Sequence, residues 1–255
     1  MNRKLLKRIL VTSAIAVLGV STSFAALVTE RDQSVDTAPS VGMYRFQVPA
    51  ELQEPYNSTG VVNLTTSMEK EPNTLSMNVA HVKGNPSESY VVEIYKDLAA
   101  IEAHRKSDQY QAFVNEVGSK LTNRKMYDVQ SVLLFEKKDA LSIVNDGKAV
   151  VTLTEFTVNS NDIDAVQRQY QLDIERAVRD DAGYKAGYVL RERNAKNRWY
   201  VIQIYSDQDA LTKHLNSPGY RFMMSQIQGS LQNVTTKVLD GDILVNHGSQ
   251  AFVRP

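Results

Sequence analysis

Two short runs carry side chains suited to acid–base and aromatic chemistry, in the same order. Tyr90-Val91-Val92-Glu93-Ile94-Tyr95-Lys96-Asp97 sets a carboxylate two residues before a phenol. Tyr200-Val201-Ile202-Gln203-Ile204-Tyr205-Ser206-Asp207 sets an amide there instead. His104 and His214 each follow their Asp by seven residues. A carboxylate withdrawn from water has a raised pKa and can act as a base. A phenol can clamp or hydrogen-bond an aromatic ring. The catalytic candidates are Glu93, Tyr95 and His104. The candidates for holding a substrate are Gln203, Tyr205, His214 and Trp199. The competing reading gives them structural work: Glu93 paired with a cation, the tyrosines packed, the histidines tying helices together. Tyr110 and Tyr220 read as core, and His81 and His247 as isolated surface residues.

The remaining composition narrows the chemistry. The 255 residues include 29 basic and 29 acidic side chains, 4 His, 1 Trp and no Cys. No thiolate nucleophile or Cys-ligated metal is available. A formal charge of zero argues against nucleic acid, which needs a basic footprint. The sequence holds no His-Glu-x-x-His run, phosphate-binding glycine loop, Ser-centred elbow or EF-hand loop, so no metal site is expected.

Residues 1–25 read as an address. Arg3, Lys4, Lys7 and Arg8 precede an apolar run from Ile9 to Val20, and Ser23-Phe24-Ala25 supplies a small-residue cleavage site. This is the layout of a secretory signal peptide. The run is shorter than the roughly 20 apolar residues of a spanning helix. Cleavage after Ala25 removes four basic residues and leaves a formal charge of −4. The expected location is periplasmic or secreted, without a stable membrane anchor.

The chain matches itself at an offset of 110. Over residues 90–129 the ungapped overlay gives 11 identities in 40, among them Ala100 with Ala210, His104 with His214, Ser107 with Ser217 and Tyr110 with Tyr220. Two copies are too few for a solenoid and imply a tandem duplication. In the second copy, Val150–Val158 reads as a strand, and Ile163, Val166, Tyr170, Ile174 and Val178 form a helical stripe. Strands near 184–191 and 199–205, two short helices and a last strand within 235–245 complete β-α-β-β-α-β, the ferredoxin-like order. The first copy fits less cleanly. Its strands are placed at 44–48, 75–82, 90–95 and 128–136. Pro55 and Gly60 predict a broken first helix, regular only near 61–70.

The expected fold class is α+β, tandem ferredoxin-like domains forming an intramolecular dimeric α/β-barrel. The partition is signal peptide 1–25, flexible leader 26–42, domain one 43–137, linker 138–148, domain two 149–246 and tail 247–255. Strands alternate faces. The apolar face (Tyr90, Val92, Ile94; Tyr200, Ile202, Ile204) is expected against the helices. The mixed face (Glu93, Tyr95; Trp199, Gln203, Tyr205) is expected to line a cavity shared by the two copies.

At these residues the pattern resembles the antibiotic biosynthesis monooxygenase family. The run from Tyr90 through Glu93, Tyr95, Asp97, Ala100, His104, Ser107 and Tyr110 to Phe113 looks like its central motif. Glu71-Pro72-Asn73-Thr74-Leu75-Ser76 resembles its turn into strand two, and the second copy is similar but weaker. The resemblance implies a small oxygenase that needs no cofactor, metal or flavin, and a quinol-like or aromatic substrate oxidised with molecular oxygen. Homo-oligomerisation stays open. The sequence departs from the family at its frequent strand-end Trp, which is Tyr95 and Tyr205 here. Phe113 and Met223 stand where haem-degrading relatives carry a His ligand. The alternative is a non-catalytic module that holds a small hydrophobic ligand on the same barrel.

Overall fold

The computed structural model describes residues 38–255. The expected signal peptide and most of the leader lie outside them. Among the described residues no helix is long and apolar enough to cross a membrane.

The first repeat holds β1 (Ser40–Gln47), α1 (Gln53–Lys70), β2 (Thr74–Val82), β3 (Asn85–Tyr95), α2 (Leu98–Arg105), α3 (Asp108–Glu116), β4 (Thr122–Tyr127), β5 (Val129–Glu136) and β6 (Leu141–Val144). The second holds β7 (Val150–Val158), α4 (Ile163–Asp180), β8 (Tyr184–Glu192), β9 (Arg198–Tyr205), α5 (Gln208–Asn216), α6 (Pro218–Ile227), β10 (Leu231–Asn246) and β11 (Ala251–Val253). The offset of 110 holds from the first strand of each repeat to the last, without a gap.

Several elements differ from expectation. β1 begins at Ser40, inside the stretch read as leader. α1 is continuous despite Pro55 and Gly60. Pro55 falls in the first turn, where a helix loses no hydrogen bond to it. Gly60 lies close against Ile243 of β10, so a side chain there would crowd the strand. The linker and the tail each contribute a strand, β6 and β11, at equivalent places in the repeat.

All strands join one antiparallel sheet, in the order β11-β5-β8-β9-β7-β10-β2-β3-β1-β4, with β6 on β10. The fourth strand of each repeat belongs to both repeats. β10 pairs with β7 over Leu231–Asp240 and with β2 over Leu239–Asn246. β4 pairs with β1, and β5, one residue further on, pairs with β8. The continuous segment β4–β5 therefore closes the sheet into a barrel. Its eight staves are β1, β3, β2, β10, β7, β9, β8 and β4–β5. This is the intramolecular α/β-barrel of two ferredoxin-like repeats.

The faces are the reverse of the expected ones. Val41, Met43, Tyr90, Val92, Ile94, Leu134, Tyr188, Leu190, Tyr200, Ile202, Ile204 and Leu244 form one cluster drawn from both repeats. They fill the barrel. An eight-stranded barrel has an interior just wide enough for side chains, so it takes the apolar face. Tyr95 lies in a second cluster with Tyr56, Leu64 and Ile101, under the first repeat's helices. Trp199 and Tyr205 lie in a third with Val166, Tyr170 and Ile174, under the second repeat's. β3 and β9 stand on opposite sides of the barrel. The mixed faces therefore do not meet in a shared cavity. Each is roofed by its own helices, and Glu93 and Gln203 find hydrogen-bonding partners there, Tyr95 on the same strand and Tyr184 on the neighbouring one.

Candidate functional site

Three sequence candidates come together in the first repeat. Glu93 and Tyr95 share the helix-side face of β3, and the Tyr95 hydroxyl donates to Glu93 Oε2 at 3.0 Å. His104 reaches them from α2, which starts where Asp97 accepts a hydrogen bond from the Ala100 amide at 2.8 Å. That N-cap fixes the helix entry, so His104 returns over β3. Its ring lies 5.6 Å from the Tyr95 ring and 4.9 Å from the Tyr110 ring.

His104 is 2% exposed and held from one side. Its Nδ1 lies 3.1 Å from Glu71 Oε2 and 3.3 Å from Ser67 Oγ. Gln109 donates to Glu71 at 2.6 Å and to Ser67 at 3.2 Å. A carboxylate on Nδ1 selects the tautomer with its proton there. Nε2 then carries a lone pair, and it has no hydrogen-bond partner. Asn63 Oδ1, on α1, is buried and equally without one.

Glu93 keeps some surface within reach of solvent. Burial raises its carboxyl pKa above the ordinary value; the Tyr95 hydrogen bond and the Arg105 charge pull it partly back. Burial and the Glu93 charge push the Tyr95 phenol well up, so it stays a donor. Two further groups complete the setting. The pKa of the Tyr44 phenol, on β1, is raised by burial and by Glu93, with the neighbouring Arg105 guanidinium opposing. Tyr44 joins them through strand pairing: Gly42 pairs with Glu93, and Tyr44 is the next residue on that face. Arg105 directly follows His104 and was legible only as part of the helix.

The second set also gathers, but without access. Gln203 donates to the Tyr184 hydroxyl at 3.2 Å and is 6% exposed. Tyr205 stands edge-on to Tyr184 with ring centroids 5.2 Å apart. Both ring nitrogens of His214 face carboxylates: Nδ1 lies 3.2 Å from Asp181 and Nε2 3.4 Å from Asp173. Trp199 stands apart, further along β9. It is fully buried beside Phe156 and donates to the Lys196 carbonyl at 2.8 Å. Among the described residues no three His, Asp or Glu side chains are grouped to hold a metal ion.

His81 is less isolated than its sequence context suggests. Its Nδ1 lies 2.8 Å from Asp242 of the other repeat, and its pKa is raised chiefly by that hydrogen bond.

The antibiotic biosynthesis monooxygenase family model matches twice, over residues 41–116 and 149–225. The chain belongs to the antibiotic biosynthesis monooxygenase family. Its fold is shared by a monooxygenase-like protein from Lactobacillus acidophilus, at 18% identity and TM-score 0.78, over 84% of this chain and 99% of that one. A monooxygenase-like protein from Fusobacterium nucleatum gives 18% identity and TM-score 0.76, over 86% and 100%. An anthrone oxidase-like protein gives 10% identity and TM-score 0.50, over 87% and 98%. At such identities the likeness speaks for the fold. No curated protein matches the chain by sequence.

Proposed function

We propose that the chain is an exported monooxygenase of this family that oxidises a quinol-like or aromatic small molecule with molecular oxygen, without a metal or flavin. The observation that carries this reading is the grouping in the first repeat. A desolvated carboxylate (Glu93), a phenol donor (Tyr95) and an imidazole with a buried, unpartnered Nε2 (His104) are grouped between β3 and the helices above it. An aromatic hydroxyl placed there loses its proton to Glu93 or to His104 Nε2. The phenolate is electron-rich enough to reduce oxygen directly. One oxygen atom then enters the ring system and the other leaves as water, the four electrons coming from the substrate. The Tyr44 phenol and the Arg105 guanidinium are donors suited to the developing oxyanion. The helix roof keeps bulk water from the intermediate.

Oxygen uptake by the purified mature chain with a panel of quinols tests this reading. Substrate-dependent uptake of one oxygen molecule per product supports it. Saturable binding with no uptake would establish the competing module, a reading favoured by Gln203 standing where the first repeat has Glu93. Export rests on the composition of residues 1–25. N-terminal sequencing of the protein recovered from the cell envelope should begin at Ala26.

A further inference from the structure

The two repeats are similar in backbone and unequal in what fills them. At several positions around the polar pair on strand three, the residue 110 places further on changes the space, although His104 and Tyr110 recur as His214 and Tyr220 and Tyr44 shrinks to Thr154. Gly42 pairs with Glu93 on the first repeat's sheet, and Thr152 pairs with Gln203 on the second's. A side chain at Gly42 would meet the Tyr44 ring at 2.8 Å, so the glycine makes room for that phenol. Thr74 begins β2, and its counterpart Tyr184 begins β8. The Tyr184 ring packs on Tyr205 and His214, and its hydroxyl occupies the place a side chain on Gly187 would take. Arg105, whose charge acts on Tyr44, becomes Leu215.

The same contrast recurs at the other end of the strand. A surface pocket of about 150 Å³ lies where the first repeat meets β10, lined in part by Gln53, Tyr56, His81, Ser89 and Asp242. Ser89 corresponds to Trp199, and Gly60 on the helix above corresponds to Tyr170. Trp199, Phe156 and Tyr170 pack ring on ring. Some exchanges compensate, as Met77 does for Gly187 and Tyr56 for Val166. The accessibility still differs: Glu93 retains solvent-reachable surface, while Gln203, Tyr184, Tyr205, His214 and Thr152 are all buried. His104 Nε2 is unpartnered, and His214 Nε2 faces Asp173.

We propose that each polypeptide takes up one aromatic ligand, under the helices of the first repeat, and that Tyr184 and Thr152 plug the equivalent place in the second. The second repeat then acts as the half that closes the barrel. This inference rests on the substrate class proposed above and adds where, and how many times, that substrate binds. It also makes Gly42 a specificity-determining position, because the room it leaves sets where the Tyr44 ring borders the ligand.

Equilibrium dialysis of the mature chain against 1,4-naphthoquinone counts the sites. The expected result is one ligand per chain, with Gly42→Ala weakening that site at least tenfold while circular dichroism stays unchanged. The double variant Tyr184→Thr/Thr152→Gly is expected to raise the count to two. Two ligands bound by the unaltered chain would overturn the proposal, as would a single site indifferent to Gly42→Ala in a folded variant. A folded double variant that still binds one would remove the plug from its assigned residues; if it does not fold, the first two readouts decide. No binding at all, together with no oxygen uptake from any quinol, would sink the substrate class itself and this inference with it.

Discussion

Glu93 is the residue on which the proposed chemistry turns. A carboxylate works as a base only when ionised, and burial lifts its pKa above the ordinary range. Activity should therefore rise with pH through a value above about 4.5, and the acidic limb should belong to Glu93. Glu93→Gln, which copies the second repeat, is expected to lower kcat/KM by roughly 100-fold or more, the usual worth of a positioned base. It should also remove that limb from the pH profile, measured by oxygen uptake. An unchanged profile would transfer the role of base to His104, whose buried Nε2 has no hydrogen-bond partner. The pairing of a Glu with a Tyr two residues on was legible in the sequence. The third and fourth partners, Tyr44 and Arg105, were not, because nothing in a linear pattern says which strand lies beside β3.

At the scale of elements, the helices above strands three are set by capping. Ser217 accepts from the Tyr220 amide at 3.1 Å and from Arg176 at 3.2 Å, so one hydroxyl starts α6 and ties it to α4. Ser217→Ala should cost about 1 kcal/mol of stability, read as a lower urea midpoint with an unchanged slope. The sequence showed most of these elements through periodicity and caps. It misplaced the regular part of α1, since Pro55 was counted as a breaker although it sits in the first turn. It missed β6 and β11, short strands with no apolar alternation long enough to read. Both exist because they add to the partner repeat's fourth strand, β6 on β10 and β11 on β5.

The whole molecule is bound together by exchange. Each fourth strand starts on its own sheet and ends on the other, so neither repeat completes its sheet alone. The same seam buries a polar cluster inside the barrel. The Tyr188 hydroxyl donates to Glu136 at 2.7 Å and lies 3.1 Å from Ser76 Oγ, which accepts from Asn78 at 2.9 Å. Burial lifts the Glu136 pKa to about 7 against the usual 4.5, with the Tyr188 hydrogen bond opposing. A carboxyl that binds its proton more tightly when folded stabilises the fold at low pH. That contribution is full below about 4.5, fades as pH rises, and is lost above about 7. Its size is roughly 3 kcal/mol. Denaturant titrations from pH 5 to 8 should show stability falling over this window, and Glu136→Gln should flatten the fall. A wild-type curve that is level or rises there would contradict the assignment.

By itself the sequence determined the duplication, the order of elements in each repeat and the family, because these are carried by local periodicity and by residues in fixed spacing. It also favoured two halves that cover each other over separate domains on a linker, since two exposed half-apolar sheets gain from a cover. Only the tertiary structure decided which face went where. Alternation along β3 and β9 distinguishes an apolar face from a mixed one, but it does not say which is inside the barrel. Closure decided it. Eight staves leave an interior that apolar side chains from both repeats fill, while on the helix side Glu93 accepts from Tyr95 and Gln203 donates to Tyr184, partners that an apolar interior lacks.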